Sequence, residues 1–345
     1  MAVALFAVPQ GAALAKGPAL SIAYSDFRDN NTWTQEAHAS FTAAAKAAEK
    51  QGLISKYTVV TADNSAAQQI SQIQTLELQG YKAIMVDAAS STGLNGVIAT
   101  ACAKGIIIVN ISDLTTAPCA YKLGTSSVGF GEALGQAVAN SLHGHGNVLL
   151  VRGIAGTGID DLLTGGIKKV LAKYPKIKIV GQVYGDWSET TTQQAVAGIL
   201  PSLPKVNAVI NQAIEASGVL RAFQQAHRPT PLVEWGNIGT ELTQWKSILK
   251  SDPGFKTISL GSVPGELSVG GMWLAYLIQQ GTKVSKSLTM PGLEITPKTL
   301  NAWSKVTPGE ANANAIFDLA QVKTLIAQNK SGHVPTYSTG GPSSK

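Results

Sequence analysis

The sequence predicts an α/β fold made of two doubly wound parallel-sheet lobes, and three observations predict it. From Ala19 to about Ser262, short β-rich apolar runs alternate with amphipathic helical stretches, the pattern of parallel sheets covered by helices on both faces. A chain of 345 residues exceeds what one hydrophobic core accommodates, so two domains are the default. After Ser262 the order changes. A helix-period segment over 264–280 has no strand partner in its own half and fits best where the chain crosses back to the first lobe. Several crossings between two such lobes make a hinge. The cleft is then lined by strand carboxyl ends, where ligands sit in open α/β sheets.

The elements follow in order. Leu20–Tyr24 is the first strand, and an alanine-rich helix over 33–50 stops before Gly52. Strand Tyr57–Thr61, helix 66–79 with Gly80 as its stop signal, strand Ala83–Val86, helix 93–104 and strand Ile106–Asn110 continue the series. Glycine just past a helix terminates it because it enters the left-handed region without a Cβ clash. A short strand, Tyr121–Gly124, leads into Thr125-Ser126-Ser127, and helix 129–142 and strand Asn147–Val151 open a second series. Strands Ile177–Val183, Ala208–Asn211, Pro231–Trp235 and Thr257–Leu260 complete it. The architecture is duplicated, the sequence is not. Beyond helix 264–280, Pro291-Gly292 breaks the chain, a polar stretch carries Pro297 and Pro308, and a helix over 311–329 precedes a Gly/Pro/Ser end read as frayed. The expected division is a truncated signal peptide or tail over 1–18, a first lobe of 19–125 plus 263–290, a second lobe of 126–262 plus 291–330, and a flexible tail over 331–345.

Hydrophobic residues make up 44% and charged residues 14%, which describes a globular chain and not a disordered one. The net charge of +6 is spread thinly. No window is dense in Lys and Arg, and the aromatics do not interleave with basic residues, so nucleic acid is not an expected partner. The apolar run from Met1 to Leu14 ends in Ala13-Leu14-Ala15, an Ala-x-Ala cleavage pattern, although a basic leader segment is missing. It reads as a truncated signal peptide with the mature chain starting near Lys16, the alternative being a simple tail. No later segment is long and apolar enough to span a bilayer. Cys102 closes a helix and Cys119 lies in the loop after the next strand. Those two places approach each other, so a disulfide fits both the geometry and an exported protein, with two buried free thiols as the alternative. Neither cysteine stands at the cleavage point, which favours a soluble periplasmic protein over a lipid-anchored one.

Catalytic arrangements are missing from the sequence. It has no Gly-x-Ser-x-Gly elbow and no phosphate loop ending in Gly-Lys-Ser/Thr. Gly153-Ile-Ala-Gly156-Thr-Gly158 has the wrong spacing for a dinucleotide fingerprint and reads as a tight strand–helix turn. His143-Gly-His145 lies in a connection with no further ligands nearby, so it reads as a loop and not a metal site. No cofactor and no metal are expected. What remains is a set of polar and aromatic residues at strand ends: Ser25 to Trp33, Asp87, Asn110 with Ser112 and Asp113, Gly156 to Asp161, Asp186-Trp187, Asn211-Gln212, Glu234 to Asn237, and Ser262. Carboxylates and amides satisfy hydroxyl groups, and Trp faces stack on the C–H faces of a sugar ring. Each alone is commonly a cap or turn residue. Their convergence at one end of two sheets marks them as a site.

These residues resemble the ribose-binding-type periplasmic binding proteins, the receptors of sugar ABC importers, over roughly residues 19 to 296. The resemblance is carried by Asn30-Asn31-Thr32-Trp33, by Gly80-Tyr-Lys-Ala-Ile-Met-Val-Asp87, and by Gly105-Ile-Ile-Ile-Val-Asn leading to Asp113. It continues in Gly153-Ile-Ala-Gly-Thr-Gly158, Gly185-Asp-Trp187, and Asn211 through Gly218-Val-Leu-Arg221-Ala. It implies two lobes joined by three crossings, near 124–128, 260–264 and 288–295, closing around one small molecule. Asn31 and Trp33 match the polar and aromatic positions of the first loop, Asp113 falls at or beside an acidic position, and Trp187 matches a stacking aromatic. Asp161 stands where the ribose type has arginine. Gln212 corresponds to a ligand amide, with Ala213 in place of the aspartate after it. Gly236-Asn237 stands for a late aspartate and Ser262 for a late glutamine. The resemblance therefore implies a site other than a ribose site, with an arginine lost and an aspartate gained, which opposes an anionic ligand.

The expected function is a non-catalytic periplasmic solute-binding protein that delivers a sugar or polyol to an ABC permease and acts as a monomer. Its expected ligand residues are Asn31, Trp33, Asp87, Asp113, Asp161, Trp187, Gln212, Asn237 and Ser262. The alternatives are a receptor of the same fold for a neutral or cationic non-sugar, or a chemotaxis or sensor receptor. Which of Asp160 and Asp161 faces the cleft stays open.

Overall fold

The computed structural model describes residues 17–29, 31–255, 257–332, 337, 338 and 342. The leader-like run and its Ala13-Leu14-Ala15 pattern lie outside the described residues. The first half runs β1 (Leu20–Asp26), α1 (Thr32–Lys50), β2 (Ile54–Thr61), α2 (Ala66–Leu78), β3 (Ala83–Val86), α3 (Asn95–Ala103), β4 (Ile107–Ile111) and β5 (Tyr121–Thr125). The second series follows as α4 (Ser127–Ser141), β6 (His145–Arg152), α5 (Gly158–Leu171), β7 (Lys176–Tyr184), α6 (Glu189–Ile199), β8 (Ala208–Ile210), α7 (Ala216–Gln225), β9 (Leu232–Val233), α8 (Gly239–Ser251) and β10 (Ser259–Gly261). The chain ends with α9 (Pro264–Gln279), β11 (Ser287–Met290), β12 (Gly292–Ile295), α10 (Leu300–Val306), α11 (Leu319–Ser331) and β13 (Tyr337–Ser338).

Two sheet systems result. The first has the order β11-β5-β4-β3-β1-β2, and every neighbouring pair is parallel. The second has the order β7-β6-β8-β9, also parallel. It continues through a parallel bridge between Trp235 and Ser259 to β10, β12 and β13, where β10 and β12 are antiparallel. Strand alternation sends side chains to both faces. Ile22 and Tyr24 enter the core under α1, α9 and α11, while Ala23 joins the core under α2 and α3. In the second system Leu149 and Val151 pack towards α6, α7 and α8, and Val148 and Leu150 towards α4 and α5. Both systems are thus doubly wound.

The chain passes between the two at three adjacent places. β5 leads into α4, which packs on α5, through residues 125–127. β10 leads into α9, which packs on the first core, through 261–264. β11 leads into β12 through Pro291.

The C-terminal part departs from expectation. The helix expected over 311–329 begins only at Leu319, because Asp318 caps it and Gln321 returns the bond, a complete capping box. The expected second-lobe segment 291–330 also divides. Val322 and Leu325 of α11 are buried in the first core, and the Asn329 side chain exchanges two hydrogen bonds with the backbone of Thr289, at 2.8 and 3.0 Å. The apolar side of α11 finds its partners on α9 and β11, so the helix belongs with the first sheet. The extended run before it ties both halves together. Ala313 N–H donates to Asn237 O (2.6 Å), and the Asn312 backbone and side-chain amides donate to Glu36 on α1 (2.9 and 3.2 Å). Beyond α11, Tyr337–Ser338 pairs with Gly292–Leu293 of β12, so these two residues of the expected flexible tail are part of a sheet.

Candidate functional site

The carboxyl ends of the two sheets each carry a polar cluster. In the first, Asp26 ends β1 and is fully buried. Its Oδ2 accepts from the Tyr24 hydroxyl (3.0 Å) and lies 2.8 Å from His38 Nε2, and its Oδ1 accepts from Arg28 N–H (3.2 Å). Asp87 follows β3, and its Oδ1 accepts from Asp113 N–H (2.9 Å). Asn110 at the end of β4 holds both loops, because its Nδ2 donates to Val86 O (2.7 Å) and Asp113 O (2.9 Å). Burial holds the Asp87 carboxyl well above the usual carboxylate range, and the Asp26 and Asp113 charges add to that shift. Burial also pushes the Asp113 carboxyl up to about 6, against the pull of the Arg28 charge.

In the second cluster, Arg152 at the end of β6 binds Asp160 through Nε (3.2 Å) and Nη2 (2.5 Å), and Asp161 through Nη2 (2.8 Å). Asp160 is fully buried, whereas the Asp161 side chain is 70% exposed. Gln212 locks this network. Its Nε2 donates to Asp160 Oδ1 (2.9 Å) and Thr164 Oγ1 (3.0 Å), and its Oε1 accepts from Gly153 N–H (3.1 Å) and Trp187 Nε1 (3.3 Å). Trp187 has a left-handed backbone, φ 52°, beside Asp186 at φ 55°. Its indole lies on the Cα face of Gly153, where any Cβ would overlap the ring.

The expected site residues therefore fall into three groups. Asp87 and Asp113 come together in the first cluster, and Gln212 and Trp187 in the second, with Asp161 attached through Arg152. Trp33 and Ser262 meet at the second crossing, where Trp33 Nε1 donates to Ser262 O (3.3 Å). Asn237 is buried against Gly261, next to Ser262 in the chain, and its Nδ2 has no partner. Asn31 stands apart as the N-cap of α1, its Oδ1 accepting from Thr34 N–H (2.9 Å). Of the two aspartates left open, Asp160 is the buried one, and its oxygens are taken up by Arg152, Gly153 and Gln212. Cys102 and Cys119 form a disulfide, with Cα atoms 6.3 Å apart, that ties the end of α3 to the β4–β5 connection. The free-thiol alternative falls. Among the described residues no cluster of metal-ligating side chains occurs.

Several positioning residues escaped the sequence reading. Gln69 on α2 is fully buried and clamps the first cluster, donating to Asp87 O (2.7 Å) and accepting from Ala89 N–H (2.9 Å). Glu215 accepts from the N–H groups of Gln212 (3.0 Å) and Ala213 (3.2 Å), and Glu241 from Gly236 N–H (2.6 Å). Burial pushes both glutamates up to about 8. A carboxylate three to five residues after a strand-end turn was their only signal. Arg152 escaped as well: a guanidinium does stand in the second cluster, supplied by β6. Glu234, beyond β9, is fully buried with neither oxygen partnered, and burial holds its carboxyl well above the usual range. A groove of about 630 Å³ lined by Asp29, His38, Lys46 and Thr61 runs along α1 and β2. It lies on the sheet edge and not between the clusters.

Comparison with known proteins gives consistent matches. A family model described as a periplasmic binding protein domain matches residues 22–283. A xylitol-binding protein of Mycolicibacterium smegmatis is 30% identical over 192 residues, 54% of this chain and 55% of that protein, so the match spans about half of the relative's length. A ribose import binding protein of Haemophilus influenzae is 22% identical over 247 residues, covering 71% of this chain and 82% of that protein. The crystal structure of an ABC transporter solute binding protein from Thermobispora bispora superposes with a TM-score of 0.83 at 35% identity, covering 94% of this chain and 98% of the other.

Proposed function

The chain belongs to the periplasmic binding protein domain family, and from that premise we propose that it captures a small neutral carbohydrate, a sugar or a polyol, between its two sheet systems and delivers it to the permease of an ABC importer. It performs no catalysis and works as a monomer outside the cytoplasmic membrane. The first lobe comprises 19–125, 263–290 and α11, and the second comprises 126–262 and 291–315. One observation carries the reading. Two polar strand-end clusters, each with carboxyl groups and a guanidinium, belong to sheets joined by three adjacent crossings, with Trp187 in the second cluster and Trp33 at the second crossing. Such a hinge lets the lobes close on a ligand, and only the closed form presents both lobe surfaces together to a permease. Asn31, Trp33, Asp87, Asp113, Asp161, Trp187, Asn237 and Ser262 are the ligand residues, with Gln212 orienting Trp187. Each charged hydrogen bond to a ligand hydroxyl contributes about 1.5–3 kcal/mol.

The relatives narrow the ligands to try. Two are named for xylitol and ribose, and an ABC transporter solute binding protein from Bacillus halodurans, 16% identical and of the same fold, was solved with bound myo-inositol. A thermal-shift screen followed by titration calorimetry tests the reading with xylitol, ribose, arabinose, allose, myo-inositol, amino sugars and amino acids. A ligand at 100 times its Kd stabilises by about 2.7 kcal/mol. A selective shift with one neutral carbohydrate is expected. A shift only with amino compounds would overturn the carbohydrate assignment.

A further inference from the structure

The first cluster contains a guanidinium that belongs to the strand-end run Ser25 to Trp33 but not to the expected ligand set. Arg28 lies two residues beyond β1. Its Cζ sits 4.6 Å from the centroid of the Phe27 ring, and its own N–H is fixed on Asp26 Oδ1 (3.2 Å), so the side chain is held at its base and along its plane. Its Nε is buried and has no acceptor. Its charge is felt by Asp87 and Asp113, yet the ion pairs of the described residues within 4.0 Å include none from Arg28. Arg152 shows the contrast, because Asp160 and Asp161 occupy its Nε and Nη2.

A buried donor with no acceptor carries an uncompensated desolvation cost. Planar guanidinium donors beside carboxylate acceptors form the pattern that adjacent hydroxyl groups satisfy, since a hydroxyl donates to a carboxylate while accepting from an N–H. We propose that Arg28 is a ligand-binding and specificity-determining residue that, together with the carboxyl groups of Asp87 and Asp113, holds a vicinal diol of a neutral polyhydroxylated ligand. The proposal rests on the carbohydrate-binding reading above and names the half of the site that recognises the diol. The charge balance sets the class. Even with the Asp87 carboxyl left out because burial favours its neutral form, Asp26, Asp113, Asp160 and Asp161 outnumber Arg28 and Arg152 across the two clusters, so a sugar acid or sugar phosphate meets repulsion while a neutral polyol does not.

The test uses the whole protein, with xylitol and D-ribose as neutral probes and xylonate as the anionic one. If the folded parent binds neither neutral probe nor any other neutral carbohydrate of the screen, the underlying reading fails. If the parent binds one, R28Q is expected to weaken it at least tenfold while the ligand-free melting temperature stays within a few degrees, and xylonate is expected not to bind the parent. R28K keeps the charge and loses the planar fork, so an affinity between parent and R28Q is expected. R28Q binding as tightly as the parent overturns the proposal. Should R28Q fail to fold, R28K with unchanged affinity overturns it equally. Parent affinity for xylonate matching that for the neutral probe overturns the ligand class.

Discussion

Trp187 shows how much the second cluster invests in one side chain. Two successive non-glycine residues in the left-handed region, Asp186 and Trp187, cost about 1–3 kcal/mol each. The indole is retained there by packing on Gly153 and by its bond to Gln212. Trp187→Ala is therefore expected to weaken carbohydrate binding at least tenfold in titration calorimetry while the circular dichroism spectrum is unchanged. Gly153→Ala displaces the ring without removing it and is expected to weaken binding in the same direction; unchanged affinity in both variants would remove Trp187 from the site. Glu234 makes a second residue-scale prediction. Its carboxyl is held above the usual range by burial, so the folded state binds that proton more tightly than the unfolded chain. Its contribution to stability is full below the unfolded carboxyl pKa of about 4.3 and is lost as pH rises through the folded value. Glu234→Gln removes that loss. The variant is expected to match the parent near pH 4 and to melt higher at pH 8, by up to about 1.4 kcal/mol per pH unit inside the window. A pH 8 melting temperature no higher than the parent's would contradict this.

At the scale of elements, close helix packing depends on missing side chains. Gly131 on α4 faces the carbonyl of Leu163 on α5, and Gly166 on α5 faces the carbonyl of Val128 on α4; a Cβ at either would overlap backbone. Gly131→Ala forces the helices apart and is expected to destabilise by about 1–3 kcal/mol, read as a lower thermal midpoint. A midpoint equal to the parent's would mean that the pair relaxes freely. The strand–helix rhythm was legible because each sheet is buried on both faces, which leaves continuous apolar runs such as Ala83–Val86 and Val148–Val151. Other elements were not legible for reasons of the same kind. β9 contracts to Leu232–Val233, with Trp235 bridging separately to Ser259, because the strand ends where the site loops begin. β11 and β12 flank Pro291, a residue that reads as a break and in fact marks the third crossing.

At the scale of the molecule, the three crossings neighbour one another through the β10–β12 and β5–β11 pairs, and Asn314 bonds Gly265 beside them, so the closure proposed above is a rotation about this group of crossings. Saturation with the carbohydrate found in the screen is expected to lower the radius of gyration in small-angle X-ray scattering. An identical curve with and without ligand would show that binding does not close the lobes. The Glu36–Asn312 pair and the docking of α11 on the first core add ties between the lobes beyond the three crossings.

Hydrophobic periodicity and helix-stop signals are local, so the fold class, the two-sheet division and the neighbourhoods of the candidate site residues were legible in the sequence. The sequence also placed Cys102 and Cys119 within reach of each other. Long-range packing settled which polar residues remain available. It consumed Asp160 in the Arg152 network, made Gln212 an internal clamp and left Arg28 Nε without an acceptor. A polar residue at a strand end has the same local signature whether it meets a ligand, a backbone amide or another side chain. Contacts between residues far apart in the chain decide among these.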